Sequence, residues 1–275
     1  MVYNFSEEIS VITGFEEIRV VVIGTGISTA ITYWLLFLLF ALRILFSPGL
    51  KDFHIFHNIS FSFQQFWEFL RVGVPAGFAY FLEYGRFAMT SFLIAKFGTN
   101  FIAADMAATN FCAITYIIPR SISLAATVLV GKAVGAKNSN EAHDYAVLAL
   151  QISLVAVLIY ATLEFITVDW IARIYTADKV VKAIIVNFMF YGITWQFFDA
   201  VGAPLQGILR GYKDVNIPFV ISVVAFWGIC LPYGIFMDYV LGREAYCYWE
   251  GINISLLVSS LALFCRLKYR EKQKL

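Results

Sequence analysis

The chain has 275 residues, of which 60% are hydrophobic, 17% aromatic and only 14% charged. A soluble globular domain carries about 25% charged residues, so the composition excludes that class and points to a membrane protein. The net charge of +1 does not point to a nucleic-acid partner.

Hydropathy predicts an all-α polytopic fold with about seven transmembrane helices, over residues 20–46, 72–96, 101–130, 145–168, 183–208, 215–240 and 246–265. Each run is long enough to cross about 30 Å of hydrocarbon as a helix. The runs are continuous rather than alternating, which favours helices over a barrel, the other architecture that satisfies the backbone in lipid.

Residues 1–19 form an acidic segment with Glu7, Glu8, Glu16 and Glu17, unlike the basic start of a cleavable signal peptide. The single span 20–46 opens on Gly24-Thr25-Gly26-Ile27-Ser28-Thr29-Ala30, small residues that let helix backbones approach closely in lipid. No strand precedes it, so a nucleotide-binding turn is not expected. A connection over 47–71 breaks at Pro48-Gly49 and then mixes Phe63, Phe66, Trp67 and Phe69 with polar groups, as expected of an amphipathic interfacial helix. His54 and His57 lie within it, but no carboxylate or thiol nearby completes a metal site.

The six remaining spans are predicted over 72–265. Pro75, Pro119, Pro204, Pro218 and Pro232 fall in or beside them and predict loosened, kinked turns. Gly131 and Gly135 precede Lys137, Asn138, Ser139 and Asn140 and read as a helix end, and the run from Leu209 to Asp214 reads as a second polar turn, with Arg210 and Lys213 holding the headgroup region. Cys112, Cys230, Cys247 and Cys265 are scattered singly, which suggests packing rather than a disulfide or metal framework.

The tail 266–275 is basic. With it in the cytoplasm, that side collects twelve basic residues and the other side six, the sign required by the positive-inside rule. The acidic N-terminal segment is then external and the connection 47–71 cytoplasmic, in a multi-pass inner-membrane protein.

Two acids lie deep in the apolar runs. An ionised carboxylate at a bilayer centre costs about 2.5–3.5 kcal/mol on insertion scales, so it is expected to meet a proton, a cation or a partner. Glu83 stands near mid-span, where apolar surroundings favour the neutral acid; Arg86, three residues on, can pair with it on one helical face and hold it ionised. Asp199 follows Trp195, Gln196, Phe197 and Phe198 and precedes Gly202 and Pro204, so a cation could use its carboxylate and loosened backbone carbonyls, or a neighbouring helix could hydrogen-bond it. Tyr116 offers a phenol and a ring to a cation. No serine, cysteine or histidine combination suggests hydrolytic or transfer chemistry, so an enzyme is not expected.

In order and spacing, Gly24–Trp34, Leu70-Arg71-Val72-Gly73-Val74-Pro75-Ala76-Gly77 leading to Glu83, Asn110, Pro119, Gly131 with Gly135, Asp199-Ala200-Val201 and Leu209–Asp214 resemble the C-terminal half of a multidrug and toxic compound extrusion (MATE) transporter of the NorM type. The resemblance implies one six-helix lobe of a twelve-helix antiporter plus the preceding helix, which matches the end of the N-lobe. It implies Glu83 and Asp199 as cation-binding acids, Tyr116 near the cation, and export of cationic amphipathic compounds driven by Na+ or H+, with no other cofactor. Trp195, in place of a frequent tyrosine, and Arg86 are departures expected to modulate ion selectivity, as is Asp105-Met106 in place of a common His-Gln pair. The lipid bilayer, small cationic drugs and a complementary N-terminal lobe are the expected partners. The alternatives are a non-transporting remnant or half-transporter, and a flippase of lipid-linked sugars, which would need a basic cavity where only Arg86 and Arg120 are available.

Overall fold

The computed structural model describes residues 7–46 and 62–272, and among them every regular element is helical. Six helices there are apolar and long enough to cross a membrane: Gly26–Phe46, Thr99–Gly135, Ser139–Tyr175, Lys179–Gly211, Asn216–Tyr239 and Tyr246–Lys272. Most of the seventh expected span, 72–96, lies in a helix that starts at Phe63 and ends at Ile94, and its last residues fall in a 3-10 turn, Ala95–Phe97.

The chain divides into two units, residues 1–63 and 64–275. The first is helix α1 (Glu7–Phe46), which already begins within the acidic segment. Its large apolar side chains stand exposed, Trp34 at 67% and Phe46 at 75%, and the Trp34 and Phe37 rings meet edge to face at 5.9 Å. A helix apolar on all faces is stable in this form only with lipid or other helices around it.

The second unit is built from α2 (Phe63–Ile94), α3 (Thr99–Gly135), α4 (Ser139–Tyr175), α5 (Lys179–Gly211), α6 (Asn216–Val223), α7 (Leu231–Tyr239) and α8 (Tyr246–Lys272). Residues 63–71, expected as a separate interfacial helix, continue without a break into the span that follows. The first part of that connection, with His54 and His57, lies outside the described residues. A π-helical stretch, Val224–Cys230, joins α6 to α7 into one rod. This wider turn immediately precedes Pro232, which has no N–H for the carbonyl four residues back. Helices α2, α3 and α5, by contrast, stay unbroken through Pro75, Pro119 and Pro204.

Helix α5 packs against α3, α4 and α8, and so forms the lobe's axis. Small residues set its closest approach. Gly207 and Gly211 face Ser123 and Val130 of α3 with no room for a methyl group. Across that contact the Ser123 hydroxyl donates to the Ala203 carbonyl at 2.6 Å and the Thr127 hydroxyl to the Gly207 carbonyl at 3.0 Å. Lipid supplies no hydrophobic drive between helices, so close packing and such bonds hold the pair together.

Both expected turns form. Helix α3 stops at Gly135, Lys137 takes a positive φ of 57°, and the Asn138 N–H reaches the Ala133 carbonyl at 3.0 Å. Helix α5 stops at Gly211 in the same way, with Lys213 at φ 58° and the Asp214 N–H on the Leu209 carbonyl at 2.9 Å. Arg210 does not reach toward headgroups: its Nη2 donates to Ser123 Oγ at 3.0 Å, inside the lobe. The buried Asp214 is held by Arg266 Nε at 2.7 Å, which ties this turn to α8. His143 lies in the early turns of α4 and meets Glu271 at 2.8 Å. The four cysteines are free, and three of them are buried.

Candidate cation site

Asp199 is only 7% exposed, on the face of α5 turned into the lobe. Trp195 and Gln196, four and three residues earlier, share that face, as a 3.6-residue repeat requires. Both are buried. Trp195 organises one side of the site: its ring stacks on Tyr116 of α3 at 6.1 Å and 26°, and meets Phe87 of α2 edge to face at 5.8 Å. Tyr116 in turn accepts a hydrogen bond from Arg120 Nη1 at 3.4 Å. Thus Tyr116, Trp195 and Asp199 are brought to one region by two neighbouring helices.

Glu83 lies in α2 one turn before Arg86, but its side chain falls outside the described residues, and so does the expected Glu83–Arg86 pair. Arg86 is 1% exposed. Its guanidinium sits over the Phe226 ring at 4.0 Å and the Phe87 ring at 4.4 Å, a desolvated cation–π arrangement worth about 2 kcal/mol. Phe226 belongs to the π-helical stretch, so Arg86 couples α2 to the irregular part of the α6–α7 rod.

The other side of the site was not anticipated. Glu164 of α4 is 2% exposed, and Gln196 Nε2 donates to its Oε2 at 2.7 Å. Tyr160, one turn earlier on α4, lies within electrostatic reach of both Glu164 and Asp199, and Cys112 of α3 within reach of Glu164. A signal for Glu164 was present: it falls in register with Ser153, Val157, Ala161 and Val168, all buried on the same face of α4. Asp105, in contrast, is satisfied as a structural acid, accepting from Ser91 Oγ at 2.5 Å and from Trp249 Nε1 at 2.8 Å. Asp238 likewise accepts from Tyr248 at 2.5 Å and pairs with Lys96.

The described residues contain no group of three histidines, cysteines or acids that could hold a metal ion. What the arrangement offers is oxygen donors and aromatic faces beside buried carboxylates, the chemistry of a proton or an alkali cation.

Comparison with known proteins gives this site its family context. The MatE family model matches residues 75–236. The chain belongs to the MatE family. Among its relatives is the protein named "Probable multidrug resistance protein NorM" of Bacillus cereus, 37% identical over 246 residues, which cover 89% of this chain and 54% of that protein. The NorM relative of Bacillus subtilis is 34% identical over 257 residues, 91% of this chain and 57% of that protein. The chain therefore spans about half the length of these MatE relatives and corresponds to a C-terminal half of the NorM type. The fold agrees with that of the eukaryotic MATE transporter AtDTX14, with a TM-score of 0.83 over 91% of this chain and 57% of that one at 21% identity. An outward-facing MATE family transporter of the MOP superfamily matches with a TM-score of 0.75 at 16% identity, over 86% of this chain and 53% of its own.

Proposed function

We propose that this chain is the C-terminal lobe of a cation-coupled multidrug antiporter that exports cationic amphipathic compounds, acting with a complementary N-terminal lobe. The observation that carries the reading is Asp199, an acid buried on the inward face of a membrane-spanning helix beside the Trp195–Tyr116 stack. In this reading Asp199 and Glu83 take Na+ or H+ when the cavity opens outward. Neutralising them changes how α5 and α2 pack, which releases the substrate as the cation enters. Tyr116 contributes its phenol and ring, Trp195 holds Tyr116 in place, and Arg86 tunes the charge balance around Glu83. The acidic N-terminal segment lies outside, the connection 47–71 and the basic tail lie in the cytoplasm, and the membrane is the inner membrane.

The half-length match to the NorM relatives favours a lobe that exports only with its partner. A lipid-linked sugar flippase is disfavoured because Arg86 is packed between phenylalanine rings rather than lining a basic cavity. The test is efflux of an ethidium-like dye from energised vesicles, comparing this chain alone with a version fused to a complementary lobe. Export by the fused form alone is expected. Dye export by the isolated chain that survives the double substitution Glu83→Gln and Asp199→Asn would refute the assignment.

A further inference from the structure

Glu164 and Gln196 meet at a buried contact between α4 and α5 that the cation-site reading does not use. Each is 2% exposed. Their single mutual bond, Gln196 Nε2 to Glu164 Oε2 at 2.7 Å, uses one donor and one acceptor. Glu164 Oε1 and Gln196 Oε1 are both buried and have no hydrogen-bond partner among the described residues. Two acceptors left over at one contact call for donors; the buried Tyr160 hydroxyl one turn away also lacks a partner, but its single hydrogen can satisfy only one of them. A buried, unsatisfied polar oxygen costs about 1–3 kcal/mol, more if it carries charge, so a pair of them at one point needs an explanation.

A carboxylic acid and a primary amide are complementary, each presenting one donor and one acceptor on the same edge. With a proton on Glu164 Oε1, the acid O–H can donate to Gln196 Oε1 while the amide N–H keeps its bond to Oε2. Both orphan oxygens are then satisfied by one proton, and the pair closes into a ring. The groups around it do not favour a charged carboxylate. Tyr160 on the same helix and Cys112 on α3 lie beside it, a phenol and a thiol.

We propose that Glu164 and Gln196 form a second proton-binding site in this lobe. Protonation converts the Glu164 carboxylate to the acid, with the proton coming from water and returning to water when the site opens. A sodium ion is the less fitting occupant, because a desolvated sodium ion needs a fuller shell of oxygens than these two side chains and the Tyr160 phenol provide. The place of this site in transport rests on the cation-coupled reading, but proton binding is measured without transport, so the two can fail separately.

The test is infrared difference spectroscopy of the full chain reconstituted in phosphatidylethanolamine–phosphatidylglycerol vesicles, recorded between acidic and alkaline buffer, with and without sodium. The expected result is a protonated-carboxyl C=O band that is retained in Asp199→Asn, lost in Glu164→Gln, and shifted to higher frequency in Gln196→Met, where the amide contact is gone. Circular dichroism checks the fold of each variant. The proposal is overturned if folded Glu164→Gln keeps the band, or if added sodium at constant pH removes it, which would make the occupant a metal cation. Should Glu164→Gln not fold, Gln196→Met decides: an unshifted band overturns the proposal.

Discussion

Replacing Gly207 by alanine should destabilise the lobe more than any other single added methyl group between α3 and α5. A Cβ at this position would collide with the Ser123 carbonyl oxygen and stand 2.6 Å from its Oγ, against backbone that cannot rotate away. Overpacking of this kind costs roughly 1–3 kcal/mol. Separating the helices also weakens the Ser123–Ala203 and Thr127–Gly207 hydrogen bonds, and interhelical bonds in membranes average about 0.6 kcal/mol each. The sum is about 3 kcal/mol, which at roughly 2–4 °C per kcal/mol for a chain of this size lowers the melting temperature by about 6–12 °C. Thiol-reactive dye fluorescence in detergent measures it directly, because Cys112, Cys230 and Cys247 are buried and react only on unfolding. The exposed Cys265 is replaced by serine to remove background. Gly135→Ala is the control, since a Cβ there meets nothing within 4 Å. If Gly207→Ala melts within about 2 °C of the parent and of Gly135→Ala, the close α3–α5 crossing is wrong.

Removing Arg266 should leave the buried Asp214 held only by Arg270 at 3.6 Å; Arg266→Ala is expected to cost about 2 kcal/mol, below the 3–5 kcal/mol of a fully broken buried pair, read from the same melting curves. Trp195→Phe should lose part of the stack on Tyr116 and the edge contact with Phe87, about 0.5–1.5 kcal/mol per aromatic pair, and weaken ion-driven efflux in the fused transporter without changing its expression. His143→Ala should change stability by less than about 0.5 kcal/mol, since its contact with Glu271 lies at the surface where ion pairs contribute little.

Much of the fold was legible because hydropathy and helix-end chemistry are local. The apolar runs became helices, and Gly135 and Gly211 closed two of them where Lys137 and Lys213 take up positive φ. The start of α2 was harder: the break expected between the connection and the span did not form, because nothing between Phe63 and Pro75 stops a helix. Arg210 was misplaced for a different reason. Its charge suggested the headgroup region, whereas an acceptor on α3, Ser123, draws it inward, and such a partner 87 residues away is not visible in a local pattern.

At the site, Asp199, Trp195 and Tyr116 came together as the order of helices α3 and α5 allows. Glu164 sits near the end of its apolar run, close to Asp169, where an acid reads as interfacial. Its register with Ser153, Val157 and Ala161 carried the information that it faces inward. The pairing with Gln196 depends on how α4 rotates against α5, which only the packed lobe determines.

The measurement that bears most directly on the central claim is ion-gradient-driven dye efflux by the fused transporter carrying Asp199→Asn. The account predicts that this change removes the response to an imposed sodium or proton gradient while the protein remains folded in the membrane. Full gradient-driven export by the folded variant would contradict it.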